Sequence, residues 1–165
     1  MHVLAAQSMT ASGLLGRAVG YLEKLADDRL VVALGVLWRD QACYLYHKRP
    51  GQEHGFSSGF QSRPLHDAGT SSVGVALLAE LSDGELAALY PDGVPDPVKE
   101  AVAETRANGY ALLRYCDHYS LAVAIGVPAY AALAGSNLPD RETALQYVAT
   151  LQNYVRAIAN ETPFQ

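Results

Sequence analysis

Thr70-Ser71-Ser72 leads straight into the apolar run Val73-Gly74-Val75-Ala76-Leu77-Leu78-Ala79. Small hydroxyl residues ahead of such a run mark a helix start. The first turn of a helix leaves backbone N–H groups unpaired and pointing out of its end. Those donors, the hydroxyls beside them and the positive end of the helix dipole favour a carboxylate or another small anion. Plain capping with no ligand is the competing reading of the same residues.

A second chemical cluster is Cys116-Asp117-His118. On a strand, Cys116 and His118 share a face and Asp117 points the other way. Two such ligands would hold zinc if His66 or Asp67 came near, and a Cys–His nucleophile pair is the other chemistry on offer. No spacing motif fixes the further ligands, and a buried cysteine beside a rim histidine is the bland alternative. Cys43 has only a core reading. The expectation is therefore a chain with no metal, no cofactor and no catalytic residue, with Cys116, His118 and His66 as the metal candidates of last resort. Arg114 lies on the same stretch. It is either a bidentate partner for a carboxylate or a solvated charge on an edge strand. Tyr44, Tyr46, Tyr115 and Tyr119 alternate along strand-like segments, which is ordinary sheet packing that still lets some of them face a pocket.

The chain has 165 residues, 50% of them hydrophobic and 18% charged. That is one globular domain, large enough to bury a core without staples. The net charge is −5 and lysine occurs only at Lys24, Lys48 and Lys99, so no basic stripe exists to neutralise phosphates and direct nucleic-acid binding is not expected. The cysteines form no paired motif, which fits a reducing compartment. The apolar runs break well short of a membrane span, and Met1 to Thr10 lacks the make-up of a signal peptide. The expected location is the cytoplasm, away from membranes.

These residues must be held by a particular order of elements. Leu14, Leu15, Ala18, Val19, Leu22, Leu25 and Ala26 have helical spacing and predict a helix over residues 12–27. Strands are expected over Leu30 to Trp38, Ala42 to His47 and Gly55 to Gln61, and a loop over Arg63 to Gly69. A helix from about Ser71 to Leu81 follows, then a short one from Ser82 to Tyr90 with a Ser82/Glu85 capping box. A third helix starts at Pro95-Asp96-Pro97 and stops at Asn108-Gly109. Tyr110 to Cys116, Ser120 to Val127 and Ala129 to Ala134 read as strands, with Pro128 at the tight turn. A last helix carries Ala144, Leu145, Val148, Leu151, Val155 and Ile158 on one stripe. Short connections imply antiparallel pairing. The fold class is α+β: one curved antiparallel sheet of about six strands covered by helices.

Ser71 to Ala79, the helix Ser82 to Tyr90, Arg106-Ala107-Asn108-Gly109-Tyr110, Ala124-Ile125-Gly126-Val127-Pro128 and Ala131 to Ser136 follow one another in a definite order and spacing. With that order, the chain from about Leu14 to Ala159 resembles the effector-binding domain of the IclR family of bacterial transcription regulators, and the resemblance implies a GAF/profilin-like sensor architecture. The family's lysine after the helix-start glycine is Val75 here. Pro64-Leu65-His66 resembles a family motif but lies three residues out of register, and the stretch Leu112 to Tyr119, often acidic in the family, here reads Leu-Leu-Arg-Tyr-Cys-Asp-His-Tyr, which changes the charge of the implied pocket wall.

The resemblance implies residues 1–11 as a leader or linker and 12–165 as the effector domain. It places the ligand between the sheet and the Ser71 helix. Ser71, Ser72 and Val73 would meet it, with Phe56 and Ser58 on the facing wall and Ala124, Ala134 and Ser136 on the last strands; Arg114 joins this set from its own chemistry. The implied partners are a small-molecule effector, a homodimer or tetramer, and DNA only through a winged helix-turn-helix that this chain lacks. Three functions follow. The first is a non-enzymatic sensor of a small organic acid or aromatic compound, in a regulator of transcription. The others are an enzyme centred on Cys116/His118 and a plain oligomerisation domain.

Overall fold

The computed structural model describes residues 13–26, 30–53, 55–57 and 65–160. The leader assigned to residues 1–11 lies outside them. Helix α1 spans Leu14–Leu25 and buries Leu14, Ala18, Leu22 and Leu25 along one stripe, as the helical spacing requires. Strand β1 (Val31–Trp38) turns through Arg39-Asp40 into β2 (Gln41–Lys48), with Arg39 taking a φ of 56° in the turn. Strand β3 is described only over Phe56–Ser57, and the rest of the expected strand to Gln61 lies outside the described residues.

The expected loop before the central helix is partly ordered structure. Leu65–Asp67 forms a short strand β4, and Ala68–Thr70 a 3-10 turn. Strand β4 pairs with β2 at Cys43, Ala42 and Gln41, supplying partners to backbone groups that an open edge would leave unpaired. The Asp67 carboxylate accepts from the Gly69 N–H at 2.8 Å and closes the turn.

Helix α2 spans Ser72–Leu78 and is capped by the Ser71 hydroxyl, which accepts from the Gly74 N–H at 3.2 Å. It stops short of the expected Leu81 because the chain tightens: Glu80 and Leu81 donate to carbonyls three residues back. Arg106 then takes the carbonyls of Ala79 and Leu81 at 3.0 and 2.6 Å, at the point where a continuing helix would have used them. Helix α3 (Asp83–Leu89) shows the Ser82/Glu85 capping box, and α4 (Asp96–Asn108) ends at Gly109 with a φ of 77°, the left-handed conformation that glycine adopts cheaply.

Strands β5 (Ala111–Tyr115), β6 (His118–Ile125) and β7 (Ala131–Leu138) complete the sheet. Strand β7 runs four residues past its expected end at Ala134. The final helix is two helices, α5 (Arg141–Gln146) and α6 (Val148–Asn160), divided at Tyr147.

The strand order is β3-β2-β1-β7-β6-β5, antiparallel throughout, with β4 beside β2 as well. The sheet is curled. Its two faces differ in chemistry. Val32, Leu34, Val36, Leu121, Val123, Ile125 and Leu133 form one core with α1 and α6. Ala33, Ala42, Ala111, Ala122, Ala132 and Ala134 form the other with Val73, Val75, Ala76 and Leu77 of α2. Alanine on that face lets α2 lie close against the strands. At Gly35 the approach leaves no room for a side chain, since a β-carbon there would stand 2.8 Å from Val73 Cγ1. The cavity described next opens on this alanine face.

Candidate functional site

A cavity of about 540 Å³ lies at the start of α2. Residues from both halves of the chain line it. Tyr44 comes from β2 and His66 from β4; Thr70 and Ser71 lead into the helix. Tyr115 ends β5, His118 and Ser120 stand on β6, and Ser136 is on β7. Strand parity explains the set. His118 and Ser120 share a face of β6, and His118 pairs directly with Tyr115 across the β5–β6 hairpin.

Most hydroxyls in this wall are already engaged. Tyr44 Oη and Ser71 Oγ share a hydrogen bond at 2.8 Å, while Ser71 also caps the helix. Tyr115 Oη donates to the Thr70 carbonyl at 2.8 Å and accepts from the Ser72 N–H at 3.1 Å. Ser72 Oγ and Ser120 Oγ share a hydrogen bond at 2.7 Å, with both residues buried. Burial raises the Tyr44 phenol above its ordinary range. Burial, and then the nearness of Tyr44, lifts Tyr115 to about 12. Both tyrosines are therefore neutral hydroxyls at any physiological pH.

The two histidines sit against these tyrosines. His66 meets Tyr44 edge-on with ring centroids 5.2 Å apart, and His118 lies tilted over Tyr115 at 5.6 Å. His118 Nδ1 is 3.1 Å from the Asp117 carboxylate. That hydrogen bond is the main cause of the lowered pKa of Asp117.

Of the residues expected at the site, Ser71 and Ser136 line the cavity. Ser72 stands behind Ser71, with its N–H taken by Tyr115 and its hydroxyl by Ser120. The open N–H array expected at the helix start is thus partly filled by the protein's own groups. Val73 is fully buried over Gly35, and Ala134 is buried in the alanine face; neither is in the cavity wall. Ala124 is half-buried and also apart from it. Arg114 is exposed, and strand alternation puts it on the face of β5 opposite Tyr115, which removes it as a carboxylate partner inside this cavity. Phe56 pairs through its backbone with His47; its side chain and the whole of Ser58 lie outside the described residues.

The Cys116–His118 geometry differs from the expectation. Cys116 and Asp117 form the hairpin turn, Cys116 with a φ of 42°, so the strand rule that put Cys116 and His118 on one face does not apply. Cys116 is exposed rather than buried, while Cys43 is buried as expected. Among the described residues no group of three or more His, Cys, Asp and Glu side chains could hold a metal ion. His66 and His118 nonetheless belong to the wall, beside Tyr44, Tyr115, Thr70 and Ser120, none of which the sequence reading placed in the ligand set. The signal for Ser120 was its parity with His118, and for Tyr44 its parity opposite the buried Cys43. No helix among the described residues is long and apolar enough to cross a membrane.

No family model matches the sequence, and no curated protein matches it significantly. Solved structures do. The Agobacterium tumefaciens repressor BlcR superposes with a TM-score of 0.72 at 20% identity, over 92% of this chain and 67% of that one. The C-terminal domain of the Escherichia coli transcriptional regulator KdgR gives 0.72 at 19% identity, over 92% of this chain and 99% of that domain. An IclR homologue from Microbacterium hydrocarbonoxydans, solved in complex with 4-hydroxybenzoate, gives 0.69 at 19% identity over 88% of this chain and 66% of that one. The chain has the fold that the C-terminal domain of KdgR shares with the IclR-type transcription regulators.

Proposed function

We propose that this chain is an effector-sensing domain of the IclR family of transcription regulators, and that it binds a small organic acid or aromatic compound without transforming it. The observation that carries the reading is the cavity at the Ser71 cap, where β2, β4, β5, β6 and β7 converge on one end of α2. A mixed wall of tyrosine, serine and histidine suits a small polar or aromatic molecule. The structural neighbours support the regulator reading by their own roles, and one of them holds 4-hydroxybenzoate.

A ligand entering here meets groups wired to the helix. Tyr44 reaches the cap residue, and Tyr115 reaches the first helical N–H. Occupancy that favours one arrangement of these bonds shifts the population of two conformations of α2. In a full-length regulator that shift would reach a winged helix-turn-helix, within a homodimer or tetramer in the cytoplasm.

Differential scanning fluorimetry against small carboxylates and aromatic acids tests the proposal. A true ligand raises the melting temperature with concentration, by mass action. The rise should vanish in Ser136→Phe, which fills the cavity from β7. A panel in which no compound shifts the melting temperature overturns the reading.

A further inference from the structure

The cavity wall divides into polar groups that are spent and polar groups that are not. Tyr44, Ser71, Tyr115 and Ser120 all use their hydroxyls on one another, on α2 or on the chain leading into it. Thr70 Oγ1 donates to the Asp67 carbonyl at 3.2 Å. What remains, among the described residues, is the His66 ring, the Nε2 of His118 and the Ser136 hydroxyl. No lysine or arginine is in the described lining.

We propose that His66 and His118 are the polar recognition pair of this cavity, and that they bind the carboxylate of an organic acid by taking up a proton as it enters. The inference rests on the cavity being the ligand site. Histidine is the side chain whose charge ordinarily changes between about pH 5 and 8. Its neutral form offers one donor, whereas its cation offers two and a charge. A carboxylate in a wall without a permanent cation is stabilised by that cation, so binding and protonation are linked.

The surroundings of the two rings are consistent with this. His66 faces the Tyr44 ring; Asp67, next to it in the chain, has its carboxylate turned to the Gly69 N–H. His118 faces the Tyr115 ring and the Asp117 carboxylate. The two tyrosines stay protonated across this range, since burial holds both above their ordinary values. Asp117 stays ionised, its carboxyl held below the usual range by the His118 hydrogen bond. The Asp117 contact occupies Nδ1 of His118 and leaves Nε2 for a ligand.

Isothermal titration calorimetry decides the matter. The probes are benzoate, 4-hydroxybenzoate, pyruvate and succinate, each beside its uncharged amide, from pH 5.5 to 8 in two buffers of unlike ionisation enthalpy. The proposal expects an acid to bind and its amide not to. The affinity should weaken by up to about tenfold per pH unit for each proton taken up. The observed enthalpy should change with buffer by at least a large fraction of one proton. His66→Gln and His118→Gln keep a hydrogen-bonding group but not the charge. Each should lose about tenfold in affinity near pH 5.5, little near pH 8, and part of the buffer dependence, with the melting temperature of the free protein unchanged within a few degrees. Acid and amide binding alike, or acid binding with no proton uptake, overturns the histidine pair and leaves the sensor reading standing. No binding by any acid or amide overturns both.

Discussion

The Tyr115 hydroxyl bridges the two sides of the start of α2: it accepts from the Ser72 N–H at 3.1 Å and donates to the Thr70 carbonyl at 2.8 Å. Residues 43 positions apart in sequence thus hold one helix end together. The strand β5 and the helix α2 cannot move independently while both bonds stand.

Tyr115→Phe leaves the ring and removes that bridge. The Ser72 N–H and the Thr70 carbonyl then lose their partner, which costs about 1–3 kcal/mol when the groups stay dry. Urea denaturation should show a lower midpoint with an unchanged slope. Amide exchange at Ser72 should speed up more than exchange in the centre of β1. Equal acceleration at both places would show that the hydroxyl has no special hold on the helix end.

Arg106 ties α4 to the α2–α3 junction through the Ala79 and Leu81 carbonyls and the Asp83 carboxylate. Asp83 is almost fully exposed, so its ion pair is worth less than about 1 kcal/mol. The two carbonyl bonds carry more, since they satisfy backbone acceptors at the C-cap of α2 and just past it. Arg106→Ala should cost about 1–3 kcal/mol, and Asp83→Asn less than about 1 kcal/mol. Chemical denaturation of both variants checks the order, and a larger loss in Asp83→Asn would reverse the account.

Two glycines should respond in opposite senses. A β-carbon on Gly74 would lie 2.3 Å from the Ala68 carbonyl oxygen and 2.4 Å from its Cα, contacts with backbone that cannot swing away. Gly74→Ala should cost about 1–3 kcal/mol or more, by forcing α2 off the 3-10 turn. Gly84, in the first turn of α3, has nothing within 4 Å of its β position and no positive φ. Gly84→Ala should add about 0.4–1 kcal/mol by reducing the freedom of the unfolded chain. Melting temperatures of the pair test this directly.

Glu23 gathers the Lys48 ammonium, the Tyr46 hydroxyl and the Gly55 N–H. The hydrogen bond from Lys48, followed by that from Tyr46, lowers its pKa from 4.5 to about 2. A carboxyl depressed in the folded state stabilises above its unfolded value, and the benefit is lost as pH falls through the folded one. Stability should therefore drop between about pH 4.5 and 2. Glu23→Gln should be less stable at neutral pH and should fall less steeply across that window. Parallel curves for the two proteins would remove Glu23 from the acid response.

Local signals in the chain were readable where local chemistry decides the outcome. Ser71 caps α2, Ser82 and Glu85 form their box, and Gly109 ends α4 because each needs only its near neighbours. The short strand at Leu65–Asp67 was hidden because its three residues are shaped by the edge of β2, not by their own pattern. Arg114 shows how sensitive a site is to strand phase: one residue separates it from Tyr115, and only one of the two faces the cavity. Ser136 lines the cavity, although the β6–β7 register shifts between Tyr119 and Leu121 close to it. The division of the last helix at Tyr147 had no glycine or proline to announce it.

The separation of the sheet's two faces has a practical bearing. Helices α1 and α6 pack together behind the sheet, with Tyr21 edge-on to Tyr154, and the cavity opens on the alanine face in front. A dye or surface tether carried on the outward side of α1 or α6 would stand behind the molecule and leave the cavity mouth unobstructed. Such a label would report on the cavity only through strain carried across the strands. A signal from that position on adding ligand would therefore measure how stiffly the sheet couples its two sides.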